Sequence, residues 1–179
     1  MTGDTDICIY AQDDLEDETI EQIARLKRQW WHYPLDEQIK YLKNLPSEDQ
    51  HIVCLNRHRV AAYLRLTPRS AKINNIIFKI AGLSTVCSDK AQQKKGFGRR
   101  IVREASRLIE REHFDFGLVQ CDDGFVDFYL KCGWHRSKCD FYVVNDAGRR
   151  QAIFREKNVL MYPLKDFRGK EIEIVGDSF

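Results

Sequence analysis

The sequence lacks the features that mark membrane, secreted and disordered proteins. No apolar run approaches the roughly 20 residues that a membrane-spanning helix needs. The N-terminal segment MTGDTDICIY contains neither a cationic flank nor a small-residue cleavage site. Proline occurs only four times in 179 residues, and the chain has no low-complexity tract. We therefore expect one cytoplasmic domain, residues 1–179, with no membrane partner.

Paired cysteines and clustered histidines are also missing. The six cysteines form no CxxC pair, and the five histidines have no ligand-like spacing to one another. Four cysteines lie within short apolar runs, as buried reduced thiols do; they are Cys8, Cys54, Cys87 and Cys121. We expect these thiols in the core and no metal site.

Neither sign of charge is in large excess. The 29 lysines and arginines nearly balance the 27 aspartates and glutamates, which gives a formal net charge of +2. So small a charge argues against a nucleic-acid partner. The one clear cluster of cations lies at residues 90–103, so any basic binding surface is local.

The first half of the chain contains alternating helix and strand patterns. Apolar residues at helical spacing predict two helices, in DDLEDETIEQIARLKRQW and PLDEQIKYLKNLP. Short apolar or alternating runs predict a first strand, a hairpin and a further strand that Gly82 interrupts; they are DICIYAQ, HIVCLN with RVAAYLRLTP, and INNIIFKIAGLSTVCS. These elements favour helices packed against a meander of strands.

The second half continues with a strand, helix and strand unit. A helix is predicted from Gly96 onward, followed by the strand FGLVQC and a short helix, GFVDFYLKCG, that ends at Gly133. The stretch WHRSKCDFYVV predicts one strand, NDAG a turn, and KNVLMYPL the last strand. The expected fold class is α/β (α+β), a mixed sheet flanked by helices.

The stretch QKKGFGRR places two glycines, Gly96 and Gly98, at the start of the third helix. The first turn of a helix leaves backbone N–H groups without intrahelical partners, and its dipole favours an anion there. Nearby cations suit a pyrophosphate; they are Lys94, Lys95, Arg99 and Arg100. The alternative is an ordinary turn with a solvated basic face, or a surface that binds polyanions or nucleic acid.

Two motifs together resemble the GCN5-related N-acetyltransferase (GNAT) superfamily. Gln93 to Gly98 matches the signature Gln/Arg-x-x-Gly-x-Gly/Ala between a strand and a helix, and Phe128 to Trp134 matches a downstream aromatic pair, lysine and Gly-aromatic element. The resemblance covers about residues 50–163. It implies a mixed sheet that is splayed at its centre, with helices on both faces.

The resemblance implies acetyl transfer from acetyl-CoA. The pyrophosphate would lie on the backbone of Gln93, Lys94, Lys95, Gly96, Phe97, Gly98 and Arg99, and the pantetheine arm along Val86, Cys87 and Ser88. Tyr129 would protonate the departing thiolate, which suits a phenol of pKa near 10. The alternative for Tyr129 is a core aromatic. An acyl-cysteine at Cys87 would need an activating partner, and none is evident.

Removal of the proton from the acceptor amine is less well explained. Relatives often carry a glutamate on the central strand, and the matching position here is Ser84, which cannot act as a useful base. Asp122 and Asp123 are candidates for this role or for contact with the substrate, and the alternative is that they cap the following helix.

Two further regions bear on the acceptor. The segment LMYPL and the tail Gly176–Phe179 resemble the last strand and the tail of aminoglycoside 2'-N-acetyltransferases. This resemblance implies that Asp177 and the terminal carboxylate of Phe179 hold ammonium groups of the acceptor. The alternative is that the tail is frayed. Trp30 and Trp31 lie where this fold shapes an acceptor pocket, although they could equally anchor helices to the sheet.

The sequence as a whole predicts an acetyl-CoA-dependent N-acetyltransferase, an acyltransferase that acetylates a primary amine directly. A small molecule or aminoglycoside-like amine is the favoured acceptor, and an exposed strand edge could support a homodimer. The alternatives are a catalytically weak module that binds CoA or acyl-CoA, and a protein or peptide lysine acetyltransferase.

Overall fold

The computed structural model describes residues 5–145, 147–154, 157–163, 165–167 and 170–176. These residues divide into two compact units: the first includes the chain up to Leu66 together with Thr85–Ala105, and the second includes Thr67–Ser84 and everything from Ser106 onward. The prediction of one domain stays a prediction. Within the described ranges, no helix is long and apolar enough to cross a lipid bilayer.

Seven major elements contribute to the first unit. The strands are β1 (Thr5–Ala11), β2 (Gln50–Asn56), β3 (Arg59–Ile73) and β4 (Ile76–Ser88), and the helices are α1 (Asp17–Arg28), α2 (Leu35–Lys43) and α3 (Phe97–Arg111). β1 pairs antiparallel with β2, and β2 pairs antiparallel with β3. The strands β3 and β4 are neighbours, and both contribute residues to both units.

The first unit has a core between α1, α2 and the strands. Ile20, Ile23 and Leu26 of α1 are buried in one cluster with Leu42 of α2 and Cys87 of β4. Acidic side chains occupy the first turn of α1 and basic ones occupy its last turn, which complements the helix dipole. The predicted first and second helices are therefore confirmed, with ends that differ from the predictions by a few residues.

The second unit contains six shorter strands and one helix within its described residues. They are β5 (Phe116–Cys121), α4 (Asp123–Leu130), β6 (His135–Arg136), β7 (Asp140–Val144), β8 (Arg150–Ile153), β9 (Asn158–Tyr162) and β10 (Glu171–Val175). β5 runs parallel to β4 and antiparallel to β9, whereas β10 runs antiparallel to β3 and parallel to β7. Both directions of pairing occur, so the α/β class with a mixed sheet is confirmed.

Four details of the predicted strands are wrong. The stretch WHRSKCDFYVV forms two strands because the Ser137 hydroxyl accepts a hydrogen bond from the Cys139 N–H, at 3.2 Å, and turns the chain. The stretch at β9 is not the last strand, since β10 follows it, and β8 is not among the predicted strands. Gly82 is buried inside β4 and does not interrupt it.

Parallel pairing joins only part of β4 to β5. The paired residues run from Ile80 with Phe116 to Leu83 with Val119, while β4 itself continues to Ser88. Residues Thr85 to Ser88 therefore form an extension of β4 that belongs to the first unit. The segment predicted to carry a pantetheine arm is this extension.

Candidate functional site

The loop that follows β4 is held by side-chain and backbone hydrogen bonds at its base. Asp89 donates its N–H to the Ala61 carbonyl at 2.9 Å, and its carboxylate accepts from the Ala91 N–H at 3.0 Å. Gln29 accepts a hydrogen bond from the Lys90 N–H at 2.9 Å. The loop thus leaves the end of β4 in a fixed direction towards α3.

The glycine stretch forms an open turn at the start of α3. Gly96 has φ +88°, and a Cβ added there would meet nothing within 4 Å. Its carbonyl accepts the first helical hydrogen bond, from the Arg100 N–H at 3.1 Å, so the N–H groups of Phe97, Gly98 and Arg99 precede the regular bonding of the helix. This turn offers backbone donors without a side chain in front of them.

Charge around this turn is positive and accessible. Lys94, Lys95 and Arg99 are exposed, and the first turn of α3 contains no acidic residue. Phe97 is buried and fixes the turn to the core, whereas the guanidinium of Arg100 donates to the Thr5 carbonyl at 3.3 Å. The arrangement can hold a phosphate group by hydrogen bonds, helix dipole and mobile charge together.

The extension of β4 has an unusual backbone and a buried thiol. Thr85 has φ +51°, a left-handed conformation that β-branched residues rarely adopt. Cys87 packs in the core of the first unit, and burial raises the pKa of its thiol to about 12 although the nearby Lys27 lowers it. The thiol is therefore protonated at neutral pH, which argues against an acyl-cysteine intermediate.

The two tryptophans differ in their surroundings. The Trp30 indole N–H donates to the Ser88 carbonyl at 2.8 Å, and the Lys90 ammonium lies 5.0 Å from the Trp30 ring centroid. Trp31 is 37% exposed. Trp30 thus ties the end of α1 to the end of β4, as the packing alternative requires, while Trp31 remains available to a ligand.

Tyr129 lies in α4 among other aromatic rings of the second unit. It is 5% exposed and makes edge contacts with Phe128 and Trp134, at centroid distances of 5.0 and 6.3 Å. Burial raises the pKa of Tyr129 above its ordinary value, with smaller contributions from Cys121 and Cys132. Within the described part of the chain, no residue hydrogen-bonds its hydroxyl, which leaves that O–H able to serve a ligand.

The acidic candidates of the second unit are engaged with neighbours. Asp122 stands at the N-cap position of α4, but its side chain makes no capping hydrogen bond and pairs instead with Lys157. The Asp123 carboxylate accepts from Asn158 at 2.7 Å. Side-chain capping by these residues is therefore wrong. Ser84 lies in the part of β4 that belongs to the second unit.

Asp177 and Phe179 lie outside the described residues. Their predicted contacts with ammonium groups remain predictions.

A buried polar layer in the first unit is not predicted by the sequence patterns. His51 is fully buried; its Nδ1 lies 2.9 Å from the Tyr63 hydroxyl and its Nε2 lies 2.8 Å from Gln12 Oε1. Gln12 Nε2 donates to the Leu42 carbonyl, which leaves Gln12 Oε1 as an acceptor and makes His51 Nε2 the donor. Burial, with the charges of Arg65 and Lys27, lowers the pKa of His51 to about 4.

Comparison with known proteins identifies the family. The profile described as "Acetyltransferase (GNAT) domain" matches residues 12–136, more than half of the chain. The chain belongs to the GNAT acetyltransferase family. No match was found among curated proteins.

Solved structures share the GNAT fold with this chain at low sequence identity. A probable N-acyltransferase from Enterococcus faecalis is 15% identical with a TM-score of 0.65, and the match covers 75% of this chain but only 33% of that protein. An acyl-CoA N-acyltransferase from Pseudomonas aeruginosa is 14% identical with a TM-score of 0.62, covering 88% of this chain and 99% of that one.

A third solved structure is an aminoglycoside acetyltransferase from an uncultured soil metagenomic sample. It is 19% identical with a TM-score of 0.58, and the match covers 72% of this chain and 86% of that protein. At these identities the structures establish the GNAT fold of the chain.

Proposed function

We propose that this GNAT protein transfers an acetyl group from acetyl-CoA directly to a primary amine of a small molecule. The observation that carries the proposal is the open turn at Gly96, which follows the extension of β4 and leads into α3 with exposed cations around it. A pyrophosphate requires backbone donors and positive charge at one place, and this turn provides both.

The residues of the first unit fit an extended CoA thioester. Acetyl-CoA supplies an activated acyl group. The donors at the head of α3 would hold its pyrophosphate, and the backbone of Val86 to Ser88 would bind its pantetheine amides as an edge strand does. The Ser88 carbonyl already accepts from Trp30, so this anchor fixes the position of the strand end.

Tyr129 is proposed as the donor that protonates the thiolate. Its raised pKa keeps the phenol protonated at neutral pH, and its hydroxyl is not engaged by a described residue. A neutral phenol can return a proton to a thiolate of pKa near 8.5. The buried, protonated thiol of Cys87 supports transfer without a covalent enzyme intermediate.

A small, cationic acceptor is supported by two observations of unequal weight. Trp31 is partly exposed at the end of α1, where an aromatic face can meet an ammonium group. One solved structure with the same fold is an aminoglycoside acetyltransferase, at 19% identity. An aminoglycoside or polyamine is therefore the first acceptor class to test.

The test is calorimetric titration with acetyl-CoA and with adenosine bisphosphate, using two glycine variants. Gly96→Val forces a β-branched residue into φ +88° at the proposed phosphate turn; Gly148→Val does the same at φ +70° in a turn of the second unit, and both positions have open space for a Cβ. We expect at least about tenfold weaker binding for Gly96→Val only, which corresponds to about 1.4 kcal/mol.

Two outcomes would count against the proposal. Absence of acetyl-CoA binding by the natural protein would refute it. Equal weakening in both variants would show that general backbone strain, and not the turn at Gly96, controls affinity.

A further inference from the structure

The second unit contains an open cavity in which acetyl transfer has no assigned part. Its volume is about 720 Å³, within the range of roughly 300 to 1,000 Å³ that is usual for sites of small ligands. Residues of five strands line it, from Arg136 in β6 to Glu171 in β10, and all of the described lining residues belong to the second unit. None of them has been assigned above to acetyl-CoA or to proton transfer.

Two edges of the sheet border this cavity. In the part of the chain that the structure describes, β6 pairs only with β9 and β8 pairs only with β7, so both are terminal strands. Arg136 of β6 and Ala152 of β8 both line the cavity. The outer edge of a terminal strand has backbone N–H and C=O groups outside the ladder, which can bind an extended peptide by main-chain hydrogen bonds. The backbone at the cavity therefore favours a peptide ligand.

The charged side chains in the cavity are engaged to different degrees. Two of the three cations pair with carboxylates: Arg150 with Glu171 at 2.7 Å, and Lys157 with Asp122. The third cation, Arg136, is hydrogen-bonded to the neutral amide of Asn158, and no described carboxylate pairs with it. The Asp140 carboxylate makes no ion pair or hydrogen bond with a described side chain. One cation and one anion thus remain available to a ligand.

One wall of the cavity is aromatic, and its backbone is strained. Phe154 has φ +60°, a left-handed conformation that bulky residues rarely adopt, and its ring centroid lies 5.8 Å from that of Phe141. Backbone strain of this kind is concentrated at active sites and ligand sites. Phe141 and Phe154 both line the cavity, so the wall offers apolar surface to a side chain of the ligand.

We propose that this cavity binds a short peptide of two or three residues with free termini. The Asp140 carboxylate accepts hydrogen bonds from the ammonium group of the peptide, and the Arg136 guanidinium donates to its carboxylate. The edges of β6 and β8 bond the peptide backbone, and Phe154 contacts an apolar side chain. A zwitterion is favoured over a polyamine or a simple carboxylate, because each of these would leave one charge of the cavity without a partner.

The test is calorimetric titration with the tripeptide Ala-Phe-Ala and with its blocked form, in which an N-acetyl and a C-amide group remove both terminal charges. The cavity variants are Asp140→Asn and Arg136→Gln. The controls Asp127→Asn and Arg111→Gln are the same substitutions outside the cavity, and all four side chains are exposed. We expect the natural protein and both controls to bind the free tripeptide at least about tenfold more tightly than the blocked one.

Each cavity variant should lose at least about tenfold in affinity for the free tripeptide and keep the natural affinity for the blocked form. Absence of binding by the natural protein, equal affinity for the free and blocked tripeptides, or unchanged affinity in both cavity variants would each overturn the proposal. Equally tight binding of 3-phenylpropionate would overturn it too, since the site would then serve a simple carboxylate. None of these results bears on acetyl-CoA binding, which the Gly96→Val variant tests separately.

Discussion

The buried histidine gives the sharpest stability prediction. His51 is neutral in the folded protein because burial, together with Arg65 and Lys27, lowers its pKa to about 4. In the unfolded chain its pKa returns to an ordinary value near 6.5. The unfolded chain therefore binds more protons between these two pH values, so the free energy of unfolding falls as pH is lowered through this window.

The size of this effect follows from the two pKa values. The difference of about 2.5 units corresponds to about 3 kcal/mol, since one unit is about 1.4 kcal/mol. The contribution is complete above about pH 6.5 and is lost below about pH 4. For a protein stabilised by about 5 to 15 kcal/mol, such a loss is large.

Urea unfolding of the natural protein, His51→Gln and the control His32→Gln measures this effect. The control replaces the exposed His32 by the same residue, so that it matches the His51 substitution outside the core. His51→Gln removes the titrating ring while an amide can still meet Tyr63 and Gln12, and it should reduce the stability lost between about pH 7 and about pH 4 by about 3 kcal/mol. If His51→Gln and the natural protein lose equal stability over this range, the reasoning is refuted.

Two further substitutions test the second unit. Tyr129→Phe should lower kcat roughly 100-fold while acetyl-CoA affinity measured by calorimetry stays the same, because only the proton donor is removed. Full turnover in this variant would exclude Tyr129 as the proton donor. Absence of turnover in the natural protein would favour the alternative of a module that binds CoA without efficient catalysis. Gly117→Ala should destabilise by about 1 to 3 kcal/mol in urea, because its Cβ would lie 2.5 Å from Ile109 Cδ1 and 3.0 Å from the Trp134 ring. Unchanged stability would show that Ile109 and Trp134 move aside easily.

Local patterns are sufficient to predict the elements that build the proposed CoA site. The strand that ends at Ser88, the glycine turn and the amphipathic helix α3 all have strong local signals, and the order of glycines and cations at Gln93 to Arg99 is itself a signal for a phosphate group. These features lie within one short segment of chain, where spacing and helix-end chemistry decide the structure. The β10 strand escapes prediction because EIEIV is short and two of its five residues are charged. Its pairing with β3 and β7 is also non-local.

The buried polar layer cannot be predicted from local patterns in the same way. Lys27 follows Ile20, Ile23 and Ala24 at helical spacing, so its position on the buried face is visible in the sequence. What the spacing does not indicate is which groups surround the ammonium, because Tyr41, Arg65 and Cys87 come from three other elements. Its basicity is a property of tertiary packing.

The backbone of Thr85, next to the buried polar layer, is strained. A β-branched residue at φ +51° is strained, and such strain persists only when neighbouring structure holds it. The Thr85 side chain lies beside the hydroxyl of Tyr63, which His51 contacts at 2.9 Å, so the buried polar layer reaches the strained residue. Strain and buried polar groups thus occur directly before Val86 to Ser88, on the strand extension whose Cys87 lies near Lys27. Stability alone would not favour the strain at Thr85, whereas binding of a ligand at this segment would account for it.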